Sequence, residues 1–127
     1  LDGRYDKPTR WMSLDGVEMT AGNDSQWHAL ATLDDVGPGQ MIAREVGDIR
    51  LALYNVGGEI FATDNVCTHA YALLTDGWLD DKIIECPLHG GQFDVCTGNA
   101  MSDPVEIDLR TYSVRVVDGR VEVHVPR

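Results

Sequence analysis

The chain is expected to fold as an all-β protein, an antiparallel sandwich or barrel with a small subdomain inserted into it. Short runs of alternating or β-branched residues recur between residues 27 and 125, and turn residues separate them. No stretch sustains a helical apolar period, so strands at such short spacing must pair with one another.

Taken in order, the runs are Trp27–Ala31, Met41–Val46, Ile49–Asn55, Glu59–Thr63, Lys82–Glu85, Gln92–Val95, Glu106–Val117 and Arg120–Val125. Gly37-Pro38-Gly39 breaks the chain after the first run, because proline presets φ and glycine tolerates the left-handed region. Gly57-Gly58 joins Ile49–Asn55 to Glu59–Thr63, and Asp118-Gly119 between the last two runs predicts a two-residue hairpin turn of the primed type. Asp76-Gly77 and Asp80-Asp81 also mark turns, so Trp78-Leu79 and Lys82-Ile83-Ile84 form a short hairpin. That hairpin lies within residues 65–91, the expected insert.

The insert holds the residues with chemistry. Cys67-Thr68-His69 and Cys86-Pro87-Leu88-His89 each offer one soft thiolate and one imidazole, and the sixteen residues 70–85 separate them. A zinc finger usually draws its donors as a Cys-Cys pair and then a His-His or Cys-Cys pair, because one tetrahedral ion is indifferent to which loop supplies which donor. A two-iron cluster is not indifferent. If both loops place a cysteine on the inner iron and a histidine on the outer one, each must carry one of each in the same order, as here. This donor set suits a [2Fe–2S] cluster with Rieske ligation, held by Cys67, His69, Cys86 and His89. A zinc-binding interaction module stays open beside it, since zinc also accepts two cysteines and two histidines.

The stretch Cys67–Gly98, CTHAYALLTDGWLDDKIIECPLHGGQFDVCTG, resembles the cluster-binding segment of bacterial Rieske ferredoxins that serve aromatic-ring-hydroxylating dioxygenase systems of the naphthalene and biphenyl type. Residues 27–66 resemble the opening strands of those ferredoxins, and Asp103-Pro104-Val105 with Leu109, Tyr112, Val114 and Val116 resembles their closing segment. The resemblance covers residues 27–127, leaving 1–26 as an extension. It implies a Rieske-type β-sandwich and a soluble one-electron carrier with no active site of its own. Its partners would be a flavin-containing NAD(P)H-dependent reductase and a terminal Rieske non-haem iron oxygenase acting on aromatic compounds.

Departures from the high-potential members of the Rieske group imply more. Those carry an extra cysteine in each loop, joined by a disulfide; the matching residues here are Ala72 and Leu88. They also carry a serine and a tyrosine whose hydroxyls bond the cluster and cysteine sulfurs, where this chain has Gly91 and Phe93. Such bonds stabilise the added negative charge of the reduced state, so their absence implies a potential near the low end of the range, about −150 mV. Pro104 would supply a third loop against the cluster; read alone, it is equally a strand-start proline at a sheet edge.

Composition sets the outer bounds. A chain of 127 residues makes one domain that needs no disulfide staples. Its net charge of −11 disfavours a nucleic-acid partner, and no apolar stretch approaches the ~18 residues of a membrane span. LDGRYDKPTR has neither an apolar signal core nor a twin-arginine pair, so a cytoplasmic location is expected; a monomer is expected as well. A detached Rieske part of a terminal oxygenase is the other alternative. That enzyme needs a second iron held by two histidines and a carboxylate, and only His28 and His124 remain, without ligand-like spacing.

If His69 and His89 each bind iron through one ring nitrogen, the other nitrogen is free to face a partner. Ala70, Tyr71, Pro87, Leu88 and Pro104 would form the apolar surround of that port, as a small transient contact requires. Asp76, Asp80, Asp81 and Glu85 either steer a basic partner surface or simply keep the carrier solvated. Cys96 reads as a small buried hydrophobe and His124 as solvent-facing between inward valines. Residues 1–26, with Tyr5, Trp11, Met12 and Met19 among acidic residues, show no clean period.

Overall fold

The computed structural model describes residues 26–69, 71–103 and 105–126, so the expectations for residues 1–25, Ala70 and Pro104 lie outside it. Among the described residues eleven strands form three antiparallel sheets. The first sheet orders β1 (Trp27–Thr32), β11 (Arg120–His124) and β10 (Val114–Val117). The second orders β2 (Met41–Val46), β3 (Ile49–Val56), β4 (Glu59–Asp64) and β9 (Thr111–Tyr112). The third, in chain order, is β5 (Trp78–Asp80), β6 (Ile83–Glu85), β7 (Gln92–Asp94) and β8 (Ala100–Ser102).

Local chemistry accounts for the hairpins. Asp118 and Gly119 sit at φ 52° and 78°, the two left-handed positions of a primed turn, whose twist matches the strands it joins. Pairing of Val117 with Arg120 follows directly.

β3 is the central strand, and both of its faces are covered. Leu51 and Leu53 point into a core with Val36, Ile60, Ala62, Tyr112, Val121, Val123 and Val125, which joins the first two sheets. Ala52 and Tyr54, on the opposite face, enter a second core with Leu74, Ile84, Phe93, Val95, Val105, Leu109 and the cysteines 67 and 86. Strand alternation makes this division. Tyr54 carries a phenol into the second core, satisfied by Thr63 Oγ1 at 2.9 Å.

Two expectations need correction. The run expected over Glu106–Val117 is not one strand, because the chain changes sheets within it. Thr111–Tyr112 pairs with β4, Ser113 accepts a hydrogen bond from the His124 amide, and Val114–Val117 pairs with β11. Before the switch, Leu109 is buried in the second core, and its amide donates to the Gly98 carbonyl at 2.7 Å. β8 was not foreseen, since Ala-Met-Ser carries no alternation; Ala100 instead pairs with Phe93 and donates its amide to Asp108 Oδ1.

Val95 lies just beyond β7. There Asp94 Oδ1 accepts the amides of Cys96 and Thr97 and turns the chain, while Lys82 reaches Asp94 Oδ2 at 3.5 Å. Cys96 is half-buried in that turn rather than fully buried as its sequence context implied. Burial and the Asp94 carboxylate push its thiol pKa up, which disfavours the thiolate. His124 is likewise half-buried, its ring edge-on to Trp27 at 5.2 Å, while Val121, Val123 and Val125 point inward.

Candidate metal centre

Two short loops leave the second core on the same side. The first follows β4. Asn65, buried at its base, donates its amide to the Arg50 carbonyl and accepts the Leu74 amide at its own carbonyl. Its side chain clamps Thr75 twice, at 2.9 Å to the amide and 2.9 Å to the hydroxyl. A bridge between Val66 and Leu73 closes the neck, and Cys67 donates its amide to the Ala72 carbonyl at 2.9 Å. At its outer edge Thr68 Oγ1 donates to the Ile107 carbonyl at 2.6 Å.

The second loop is the turn between β6 and β7, and it repeats this geometry. Cys86 donates its amide to the Gly91 carbonyl at 2.8 Å, so each cysteine amide is bonded to the carbonyl five residues on. His89 and Gly90, at φ 72° and 74°, turn the chain over between them. Leu88 donates its amide to Cys86 Sγ at 3.4 Å. Gly77 lets the hairpin lie against this loop: a Cβ there would stand 2.0 Å from the Glu85 carbonyl oxygen and 3.1 Å from Pro87 Cδ.

The four chemically distinctive side chains separate by depth. Cys67 is 4% exposed and Cys86 0%, whereas His69 and His89 are exposed, with ring centroids 5.1 Å apart and planes at 69°. Burial pushes the Cys86 thiol pKa up and the neighbouring Cys67 thiol adds to this, while the Leu88 amide opposes both. Held away from water, the Cys86 thiol is a poor acid. A bound cation reverses that preference by replacing its proton. The four side chains stand as a buried thiol pair and an outward imidazole pair.

Of the residues expected to surround the histidines, Tyr71, Pro87 and Leu88 are described. Tyr71 is 73% exposed and Leu88 40%, with Pro87 half-buried between loop and hairpin. Asp76, Asp80 and Asp81 are exposed, while Glu85 is half-buried and takes the Gln92 amide at 3.4 Å. Sequence reasoning missed three contributors. Asn65 had a signal, an Asx residue just before the loop. Ile107, exposed beside the first loop, and Arg50, which donates to the Tyr71 hydroxyl, had none, being 39 and 21 residues from their partners Thr68 and Tyr71.

Equivalent loops that bury a thiol each and present an imidazole each define an iron–sulfur protein of the Rieske kind. Comparison with known proteins agrees: the Rieske [2Fe-2S] domain family matches residues 26–113, and the chain belongs to that family. The family's cofactor is one Rieske-type [2Fe–2S] cluster. The ferredoxin component of the naphthalene 1,2-dioxygenase/salicylate 5-hydroxylase systems of Ralstonia sp is 48% identical over 95 residues, 75% of this chain and 91% of that protein. Among solved structures, the Sphingomonas yanoikuyae B1 ferredoxin is 46% identical with a TM-score of 0.75, covering 78% of this chain and 98% of that one. A ferredoxin in complex with the oxygenase of carbazole 1,9a-dioxygenase is 41% identical with a TM-score of 0.75, covering 78% and 93%.

Proposed function

We propose that the protein is the ferredoxin of an aromatic-ring-hydroxylating dioxygenase system. It takes electrons one at a time from a flavin-containing NAD(P)H-dependent reductase and passes them to a terminal Rieske non-haem iron oxygenase. Cys67 and Cys86 hold one iron of its cluster, and His69 and His89 hold the other. It works as a cytoplasmic monomer, with residues 27–127 as its Rieske domain. The relatives it matches over most of their length are ferredoxin components, which favours the carrier over a zinc module or a detached oxygenase part.

The observation that carries this reading is the depth difference between the two donor pairs. When bound, a [2Fe–2S] cluster supplies a site that gains and loses a single electron. The chain supplies the rest. The second core shields the cysteine side from water, and the Leu88 amide donates toward Cys86 sulfur, favouring negative charge there. The exposed His69 and His89 rings give the electron a short exit to a docked protein. Leu88 beside them keeps the contact centre dry.

The test is stopped-flow mixing of the carrier with reductase and with oxygenase, alongside visible absorption and EPR of the reduced form. The wild type should show a Rieske EPR signal and be reduced and reoxidised in turn. Leu88→Glu should keep the spectrum and slow at least one half-reaction about tenfold, as a charge in a desolvated contact does. A colourless, EPR-silent protein that binds zinc after iron–sulfur reconstitution would end this reading. Unchanged Leu88→Glu rates would place the docking face elsewhere.

A further inference from the structure

Arg50 is bonded to the first loop at two points. Its carbonyl accepts the Asn65 amide at 2.9 Å, which ties β3 to the base of the loop. Its side chain runs outward and donates from Nη1 to the Tyr71 hydroxyl at 2.7 Å, with the guanidinium carbon 5.9 Å from the Tyr71 ring centre. Glu45 on neighbouring β2 faces the guanidinium from the other side at 4.0 Å. Tyr71, two residues after His69, is 73% exposed, the most exposed of the large apolar side chains among the described residues. An aromatic ring left in water two residues beyond His69, yet held by a charged hydrogen bond, is not packed into either core of this chain.

The physical consequence concerns the cost of docking. An unheld exposed side chain loses rotamer freedom when a partner immobilises it, and that loss opposes binding. A ring already held by its hydroxyl has lost part of that freedom beforehand. Tyrosine and arginine are also the residue types that most often dominate the energy of a contact. In a chain of net charge −11, Arg50 also places one positive group at the rim of the tip.

We propose that Tyr71 is a docking anchor for the terminal oxygenase, and that Arg50 is the positioning residue that pre-sets its ring. This rests on the carrier function proposed above. The oxygenase is chosen as the occupant because Tyr71 follows His69 by two residues and both are exposed, and because a related ferredoxin is known in complex with its oxygenase.

Steady-state oxygenase turnover, with holo-ferredoxin as the varied component, tests this. Tyr71→Ala should raise the KM for ferredoxin about tenfold with kcat, visible spectrum and reduction potential unchanged. Tyr71→Phe and Arg50→Gln should each raise KM about threefold, since each removes the same hydrogen bond. In the Tyr71→Ala background Arg50→Gln should add nothing. A KM within twofold of wild type for Tyr71→Ala overturns the anchor. Wild-type behaviour of Tyr71→Phe, or effects of Arg50→Gln and Tyr71→Ala that multiply, overturns the positioning role and leaves Arg50 as an independent charge. Failure of the carrier reading is distinguishable, because wild-type ferredoxin would then support no turnover at all.

Discussion

Along β3, Leu51 and Leu53 enter a core closed entirely by aliphatic and aromatic side chains, while Ala52 and Tyr54 enter one that includes two thiols. The first core joins two sheets of three and four strands and is complete as folded. The second backs a sheet whose strands are three residues each and whose outer boundary is the two loops. Strands this short pair weakly by themselves. The difference teaches where metal is expected to matter: the body stands on apolar burial alone, and a bound ligand would add most to the short strands and loops of the second region.

The harshest way to test that contrast is to remove a proposed ligand. Cys86→Ser or His69→Cys should abolish the native cluster signal and loosen residues 65–91, because metal-bound loops have few other contacts to order them. Amide exchange should rise sharply in β5 and β6 and change little in β3 and β11. An unchanged Rieske EPR signal in either variant would remove that residue from the ligand set.

Core truncations sharpen the comparison. Leu53→Ala and Ile84→Ala each delete a fully buried side chain and should each cost about 3 kcal/mol. Their consequences should differ. Leu53→Ala lowers the urea midpoint with and without the cluster alike, whereas Ile84→Ala also speeds bleaching of the visible absorption by a chelator. Equal bleaching rates would mean the two cores respond as one.

A smaller effect probes the sulfur environment. Phe93 is fully buried in the second core, and Gly91 lacks room: a Cβ there would stand 2.5 Å from Val105 Cγ1. Gly91→Ser therefore needs Val105→Ala beside it, while Phe93→Tyr stands alone. One added hydrogen bond of about 1 kcal/mol to the reduced state raises the potential by roughly 40 mV. Protein-film voltammetry of Phe93→Tyr should show this rise, and no shift would mean that the missing hydroxyls do not set the potential.

The smallest effect belongs to the acidic face of the hairpin. Asp81 sits at φ 55°, where lysine would strain the turn, so Asp76→Lys with Asp80→Lys is the cleaner reversal. If these carboxylates steer a basic partner, association slows about threefold at low ionic strength and recovers as salt screens the charges. Rates independent of salt would make them solvated surface only.

Much of this protein was determined by short-range pattern. Asp118-Gly119 specified its turn because few residue pairs tolerate two left-handed positions, and alternation alone aimed Val121, Val123 and Val125 inward. Ligand chemistry was equally local, since one cysteine and one histidine in each loop already pointed to a two-iron centre. Tertiary structure decided the rest. It moved the chain from one sheet to another at Ser113, recruited Ala100–Ser102 as a strand, and brought Arg50 to Tyr71. It also buried the thiols and left the imidazoles in water. These outcomes depend on which distant segments meet, and neither residue alternation nor turn chemistry carries that information.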